Sequence, residues 1–121
     1  GHWAFNEPGS SLESRTRIEE LNEQTLNDNY EAFYKKAGFT RDDMPHYAIT
    51  MGVGTILETK SILMLAYGSK KAEIVAKALR GPITNQITAS AIQLYKGKAT
   101  VILDEDAAAM LDETQSSESV S

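Results

Sequence analysis

Cysteine is absent from the sequence. Its absence removes disulfide frameworks, thiolate zinc sites and a cysteine nucleophile together, and it fits a cytoplasmic protein. Long apolar runs are absent too: nothing approaches the roughly 18 residues of a membrane-spanning helix, so no membrane role is expected. Basic residues are outnumbered, with 12 Lys and Arg against 17 Asp and Glu for a formal net charge of -5. They form no continuous run that could displace counterions from a phosphate backbone, so nucleic acid is not an expected partner. A small anionic ligand stays open, because one pocket can be locally positive on an acidic protein. The chain also lacks a leading methionine. "GHWAFNEPGSS" is neither a signal peptide nor a typical tag, and the expectation is a processed amino-terminus or a piece of a longer chain.

What is present is ordinary for a globular domain. Hydrophobic residues make up 41% and charged residues 24% of 121 positions, close to the averages for such domains, and the length predicts one domain. Short β-type runs alternate with helical patterns, the signature of βα units and a parallel sheet. Residues 15–21 read as a strand, and Asn22 can cap a following helix on which Leu26, Tyr30, Phe33 and Tyr34 recur, with Gly38 as its stop. "YAITM" reads as a buried strand, "GVGT" as a tight turn and 56–60 as a short helix. "SILMLAYG" is apolar on both faces, as a central parallel strand covered by helices would be. "SKKAEIVAKALRG" reads as an amphipathic helix with Ser69 as cap, with Ala72, Val75, Ala76 and Leu79 inward, and with Gly81-Pro82 as stop. "TASAIQLY" suggests a helix, "ATVILD" a last strand and "EDAAAML" a last helix. The tail at 112–121 has almost no apolar content and is expected to be disordered. Three strands are too few for a complete doubly wound sheet, and an open apolar edge is one that natural domains cover. The expected fold is therefore α/β, a Rossmann-like three-layer sandwich with a mostly parallel sheet, incomplete for want of its amino-terminal half.

Three places carry chemistry. His2 is the side chain suited to proton transfer near neutrality, and Glu7, by accepting from one ring nitrogen, would fix its tautomer and raise its basicity. A surface histidine beside a helix-capping glutamate is the alternative. "MGVGT" opens a helix, where anions bind, but it lacks the lysine of a P-loop and the full dinucleotide-binding spacing, so a turn that needs small residues explains it as well. Lys70 and Lys71 sit in a first helical turn, where the helix dipole disfavours cations unless they help to grip a phosphate. Two solvated lysines are the other reading. His46 gives no comparable signal.

"GHWAFNEPGSSLESRTRI", "AITMGVGTIL", "GSKKAEIVAKAL", "ASAIQL" and "VILDEDAA" resemble consecutive blocks of the glucosamine-6-phosphate deaminase family, in order, over about residues 1–111. The 6-phosphogluconolactonases share the fold and a glycine-histidine motif, but continue with a Thr-Ala-Ser-Leu-Phe-Pro type of sequence where "AFNEP" stands here. The resemblance implies conversion of glucosamine 6-phosphate to fructose 6-phosphate and ammonia by ring opening, isomerisation through an enolamine, and deamination. It implies that His2 protonates the ring oxygen, that Glu7 tunes His2, and that Lys71, not Lys70, binds phosphate. No metal or organic cofactor is implied, since the substrate amine itself makes the enolamine possible.

The resemblance also marks departures. The family's aspartate before the glycine of the histidine block, its carboxylate that takes the C2 proton, and its Ser/Gly-rich phosphate loop have no counterparts here, so the 121 residues alone are expected to be inactive. The family's phosphate-binding arginine falls at Glu31, with Lys35 one turn beyond as a substitute. Arg17 matches a position used for the allosteric ligand in regulated members, but Glu19 and Glu20 replace neighbours that would welcome an anion, so allosteric activation is not expected. The expected partners are a sugar phosphate, the missing half of the same protein and, in some assemblies, further copies of it. Other readings are a deaminase or isomerase for another amino-sugar phosphate such as galactosamine 6-phosphate, a lactonase-like enzyme, and a sugar-phosphate-sensing domain of a transcriptional regulator.

Overall fold

Two short strand pairs and one nine-residue helix organise the chain. The structure is a computed structural model that describes residues 1–111, so the expected tail lies outside the described residues. β3 (Ser61–Ala66) and β4 (Lys98–Leu103) pair in parallel, with Ser61 opposite Lys98 and Ala66 opposite Leu103. Between them the chain crosses over through α3 (Ala72–Arg80) and a 3₁₀ segment, Thr88–Leu94. This is the βα unit that the alternating pattern predicts. α3 buries Ala72, Val75 and Ala78 at three-residue spacing, while Glu73 and Lys77, four apart on the outer face, pair at 2.8 Å. Its last carbonyls are not orphaned: Gln93 Nε2 donates to the carbonyls of Ala78 at 2.8 Å and Gly81 at 2.9 Å.

The second pair is antiparallel. β1 (Arg17–Glu20) runs against β2 (Tyr47–Thr50), with Ile18 opposite Ile49. The intervening α1 (Glu23–Asn29), a π-helical turn at Tyr30–Tyr34 and a 3₁₀ turn at Arg41–Asp43 return the chain alongside β1 in the opposite direction. The parallel part of the expected sheet is therefore β3–β4, and the strand read from 15–21 belongs to a separate ladder. Leu21, Leu26 and Met44 bury between this ladder and α1, with Phe5, Tyr30 and Tyr34 against them. Gly38 ends the helical stretch at φ +84°, as a left-handed terminator should.

Several elements differ from the sequence reading. The "YAITM" strand is not buried on both sides, since Ile49 is 77% exposed. In "SILMLAYG" only Ile62, Met64 and Ala66 turn inward, and Leu63 and Leu65 face outward. Within the described residues, each of these strands has one face covered. α2 spans Val53–Leu57 and not 56–60, because Ser14 Oγ accepts from Val53 N–H at 2.9 Å and starts the helix inside "GVGT". Val53 is wholly buried there, which stabilises the junction by about 1.5–3 kcal/mol. Ser69 does not cap α3; a 3₁₀ turn at Ser69–Lys71 precedes the helix, and Ala78 is buried where Ala76 and Leu79 are only partly so. "EDAAAML" forms successive turns rather than a helix, although Asp104 accepts from Ala107 N–H at 2.8 Å in the manner of a helix cap. Among the described residues, no helix is long and apolar enough to cross a membrane.

The 3₁₀ turn at Arg41–Asp43 carries a pH-dependent element. Asp43 Oδ2 accepts from both the backbone N–H and the hydroxyl of Thr40 at 2.9 Å, and these bonds hold its carboxyl below the usual range. Arg15 lowers Glu58 and Lys77 lowers Glu73 in the same way. A carboxylate whose pKa is depressed by folding stabilises the fold above its unfolded value, and loses that contribution as pH falls through the folded value. The melting temperature is expected to fall between about pH 5 and pH 3. Asp43→Asn should flatten part of that fall; identical acid profiles for the two proteins would count against the turn as a contributor.

Candidate active site

The first ten residues form a loop fastened from several sides. Trp3 N–H donates to Thr88 Oγ1 at 2.9 Å, and that hydroxyl donates to the Asn6 carbonyl at 3.2 Å. Phe5 N–H donates to Thr50 Oγ1 at 3.0 Å. Asn6, fully buried, sends Nδ2 to the carbonyls of Trp3 and Met51, both at 2.8 Å. Between them Ala4 is held at φ +49°, a conformation that a residue with a Cβ adopts only when its surroundings enforce it.

This loop displays His2 with its side chain 37% exposed. Its Nδ1 lies 2.9 Å from the Ala4 carbonyl. A carbonyl only accepts, so Nδ1 carries the hydrogen and Nε2 is left to exchange a proton. Nε2 faces Glu7 Oε2 at 4.0 Å. The structure thus brings His2 and Glu7 together, with one correction: the backbone of Ala4, not Glu7, fixes the tautomer, and the carboxylate stands 4.0 Å away.

Glu7 is 8% exposed, and buried carboxylates need hydrogen-bond partners. It has two: Thr25 Oγ1 donates to Oε1 at 2.7 Å and Asn22 Nδ2 donates to Oε2 at 2.6 Å. Asn22 is also the cap of α1, its Oδ1 accepting from Thr25 N–H at 2.8 Å. Glu7 is therefore not the helix cap of the alternative reading. Asn22 has a sequence signal as a cap; nothing in the sequence signals its bond, or that of Thr25, to Glu7.

Lys71 ends the turn that follows β3 and lines, with His2, a cavity of about 400 Å³ whose walls include Gly1, Trp3, Tyr67 and Ile74. The turn is fixed from β4. Gly68, at φ +91°, donates its N–H to both oxygens of Asp104 at 3.1 Å. Asp104 follows the last strand, so it joins the carboxyl ends of β3 and β4, the end at which open α/β sheets bind ligands. From sequence this residue reads only as a strand end.

The other candidates are otherwise engaged. The amides of "MGVGT" meet Ser14: Oγ takes Val53 N–H, and the carbonyl takes Thr55 N–H at 3.3 Å. A Cβ at Gly54 would sit 2.8 Å from the backbone of Glu13, so these glycines permit close packing and present no anion site. Glu31 and Lys35 pair with each other at 3.4 Å on an exposed helical face and line no wall of the His2–Lys71 cavity. Arg17 donates to Asn6 Oδ1 at 2.9 Å and Ser10 Oγ at 3.3 Å and pairs with Glu19 at 2.9 Å. An anion in its cleft would have to displace Glu19. Among the described residues no group of three or more His, Cys, Asp or Glu side chains is assembled to hold a metal.

No family model matches the chain. Individual relatives do. The chain is 46% identical over 111 residues to a glucosamine-6-phosphate deaminase of Rhodococcus opacus (strain B4), covering 92% of the chain and 40% of that protein. It is 48% identical over 111 residues to one of Streptomyces coelicolor, covering 92% of the chain and 41% of the relative. Among solved structures, it superposes on a monomeric glucosamine-6-phosphate deaminase with a TM-score of 0.75 at 44% identity, over 88% of the chain and 42% of that one. A 6-phosphogluconolactonase from Trypanosoma cruzi gives a TM-score of 0.63 at 20% identity, over 90% of the chain and 36% of the lactonase, a likeness of fold alone. The fold is accordingly the Rossmann-like α/β fold of these proteins, in part. Along 92% of its length the chain is similar to glucosamine-6-phosphate deaminases, and it spans about 40% of theirs.

Proposed function

We propose that residues 1–111 are the carboxy-terminal part of an amino-sugar phosphate deaminase that converts glucosamine 6-phosphate to fructose 6-phosphate and ammonia. The observation that carries this reading is that His2 and Lys71, from two motif blocks far apart in the sequence, share one cavity. His2 has Nε2 free for proton exchange, and Lys71 is one turn past the carboxyl end of a parallel strand.

In this reading Lys71 neutralises part of the phosphate charge at the strand ends. Protonated Nε2 of His2 gives its proton to the ring oxygen as the C1–O5 bond breaks and the C1 hydroxyl loses its own proton, which yields the open-chain aldehyde. Glu7 stabilises the imidazolium form that precedes this step. Removal of the C2 proton and its delivery to C1 then pass through an enolamine to the C2 imine. Water adds to that imine, and ammonia leaves as the C2 ketone forms. The base at C2 and the remaining phosphate contacts belong, in this proposal, to the part of the relatives that the chain does not span. Cytoplasmic residence is part of this proposal; a chain without cysteine fits it and does not require it.

The test is a substrate panel applied to the protein that carries this chain. Glucosamine 6-phosphate is expected to release ammonia and fructose 6-phosphate with a kcat in the range of about 1–10³ s⁻¹. Turnover of galactosamine 6-phosphate alone, hydrolysis of 6-phosphogluconolactone alone, or saturable sugar-phosphate binding without any turnover would each replace the assignment.

A further inference from the structure

The cap of α1 accounts for only half of the Asn22 side chain. Its Oδ1 is committed to Thr25 N–H at 2.8 Å. That commitment decides where the other half points: rotating the amide by 180° would set NH₂ against an N–H donor and Oδ1 against a carboxylate, two repulsions in place of two bonds. Nδ2 must therefore face Glu7, and it meets Oε2 at 2.6 Å. Oε2 is the same oxygen that faces His2 Nε2 at 4.0 Å, while Thr25 holds Oε1 at 2.7 Å. His2, for its part, is placed from elsewhere, by the bonds of its loop to Thr88, Thr50 and Met51. One loop thus carries both residues, and the first turn of α1 sets where the Glu7 carboxylate points from it.

We propose that Asn22 is a positioning residue, which uses its cap-locked amide to aim Glu7 Oε2 at His2 Nε2 and so makes the first turn of α1 part of the proton relay. The proposal rests on the reading of His2 and Glu7 as that relay. Asn22 touches no substrate; it acts through Glu7.

Asn22→Ser separates the two halves of the side chain. Serine caps helices as well as asparagine does, but its hydroxyl cannot hold Thr25 N–H and also donate to Glu7 from the distance the amide spans. In the protein that carries this chain, kcat is expected to fall about tenfold, with KM within about twofold, because a small misplacement of a relay group is felt in the chemical step. The melting temperature should stay within a few degrees. Asn22→Asp, which also caps but sets a second carboxylate against Oε2, should lose more activity; Thr25→Ser should keep it and Thr25→Val lose it. In a crystal structure of the protein that carries this chain, Asn22→Ser is expected to open the Oε2–Nε2 separation beyond about 5 Å, outside ion-pair range. Undiminished kcat in Asn22→Ser while Glu7→Gln is impaired would overturn the proposal. So would a loss of kcat matched by lost melting temperature and raised KM, which would leave Asn22 as a cap alone. Wild-type turnover by His2→Gln and Glu7→Gln would instead sink the relay reading itself, a separate failure.

Discussion

Replacement of His2 by glutamine is expected to lower kcat for ammonia release by about 10²- to 10⁴-fold, the usual worth of a positioned general acid or base, while KM moves less than about threefold. Glutamine is chosen because its amide fills much of the ring's space and exchanges no proton near neutrality, while the loop keeps its anchors to Thr88, Thr50 and Met51. Glu7→Gln should cost less, about tenfold, because Glu7 stands 4.0 Å from the ring and contributes charge rather than a shared proton. That substitution also disturbs its own site. One oxygen of the new side chain can still accept, but its NH₂ must face either the Asn22 amide or the Thr25 hydroxyl, both donors to the present carboxylate. Steady-state assays across pH would measure both variants. A His2→Gln protein that retains a third of wild-type kcat would remove His2 from the proton path.

Gly52→Ala is expected to bring the largest loss of stability of any Gly→Ala substitution in the chain. Gly52 has an ordinary extended backbone at φ −68° and ψ 161°, so the conflict is purely steric: its Cβ would overlap the Ser14 carbonyl and the Arg15 backbone nitrogen. Both obstacles are main chain, and neither can swing aside as a side-chain tip can. The displaced segment includes Ser14, whose hydroxyl and carbonyl hold the first turns of α2. Overpacking of this kind costs about 1–3 kcal/mol and at times more, and losing the Ser14 bonds adds to it. Gly38→Ala supplies the contrast. That glycine sits at φ +84° with nothing within 4 Å of a new Cβ, so only the left-handed backbone is penalised, by about 1 kcal/mol. Urea titrations of the two variants should differ in midpoint in that order, and equal midpoints would remove the Gly52–Ser14 contact as a determinant of the junction.

The sequence carried the chemistry further than it carried the architecture. Residue types alone left His2 open as a surface histidine and Lys71 as a solvated lysine; the resemblance of their blocks to a known family implied a relay and a phosphate grip, and the structure brings His2 and Lys71 to one cavity. The α3 helix was legible because its apolar residues recur at helical spacing over more than two turns. Strand partners were not. Nothing local in "RIEE" or "YAIT" says that they pair with each other in antiparallel fashion, since pairing depends on how residues between them turn the chain. The partners of Glu7 were hidden for a related reason. Asn22 and Thr25 stand 15 and 18 residues from Glu7 in sequence, and a capping residue shows its backbone role in the sequence while its second hydrogen bond appears only once the loop is folded against the helix.

The bond from Gly68 to Asp104 has a consequence for how a cation is placed. Lys71 follows Gly68 by three residues, and Gly68 is tied to the residue that follows β4, while β3 and β4 stay aligned over six paired positions from Ser61 and Lys98 to Ala66 and Leu103. The ladder therefore works as a ruler. Sliding β4 by the two residues that keep its faces in place would shift the Asp104 anchor by about 6.6 Å along the sheet, well beyond the reach of a 3.1 Å hydrogen bond. The lysine's address is written in strand register, at a distance from the lysine itself.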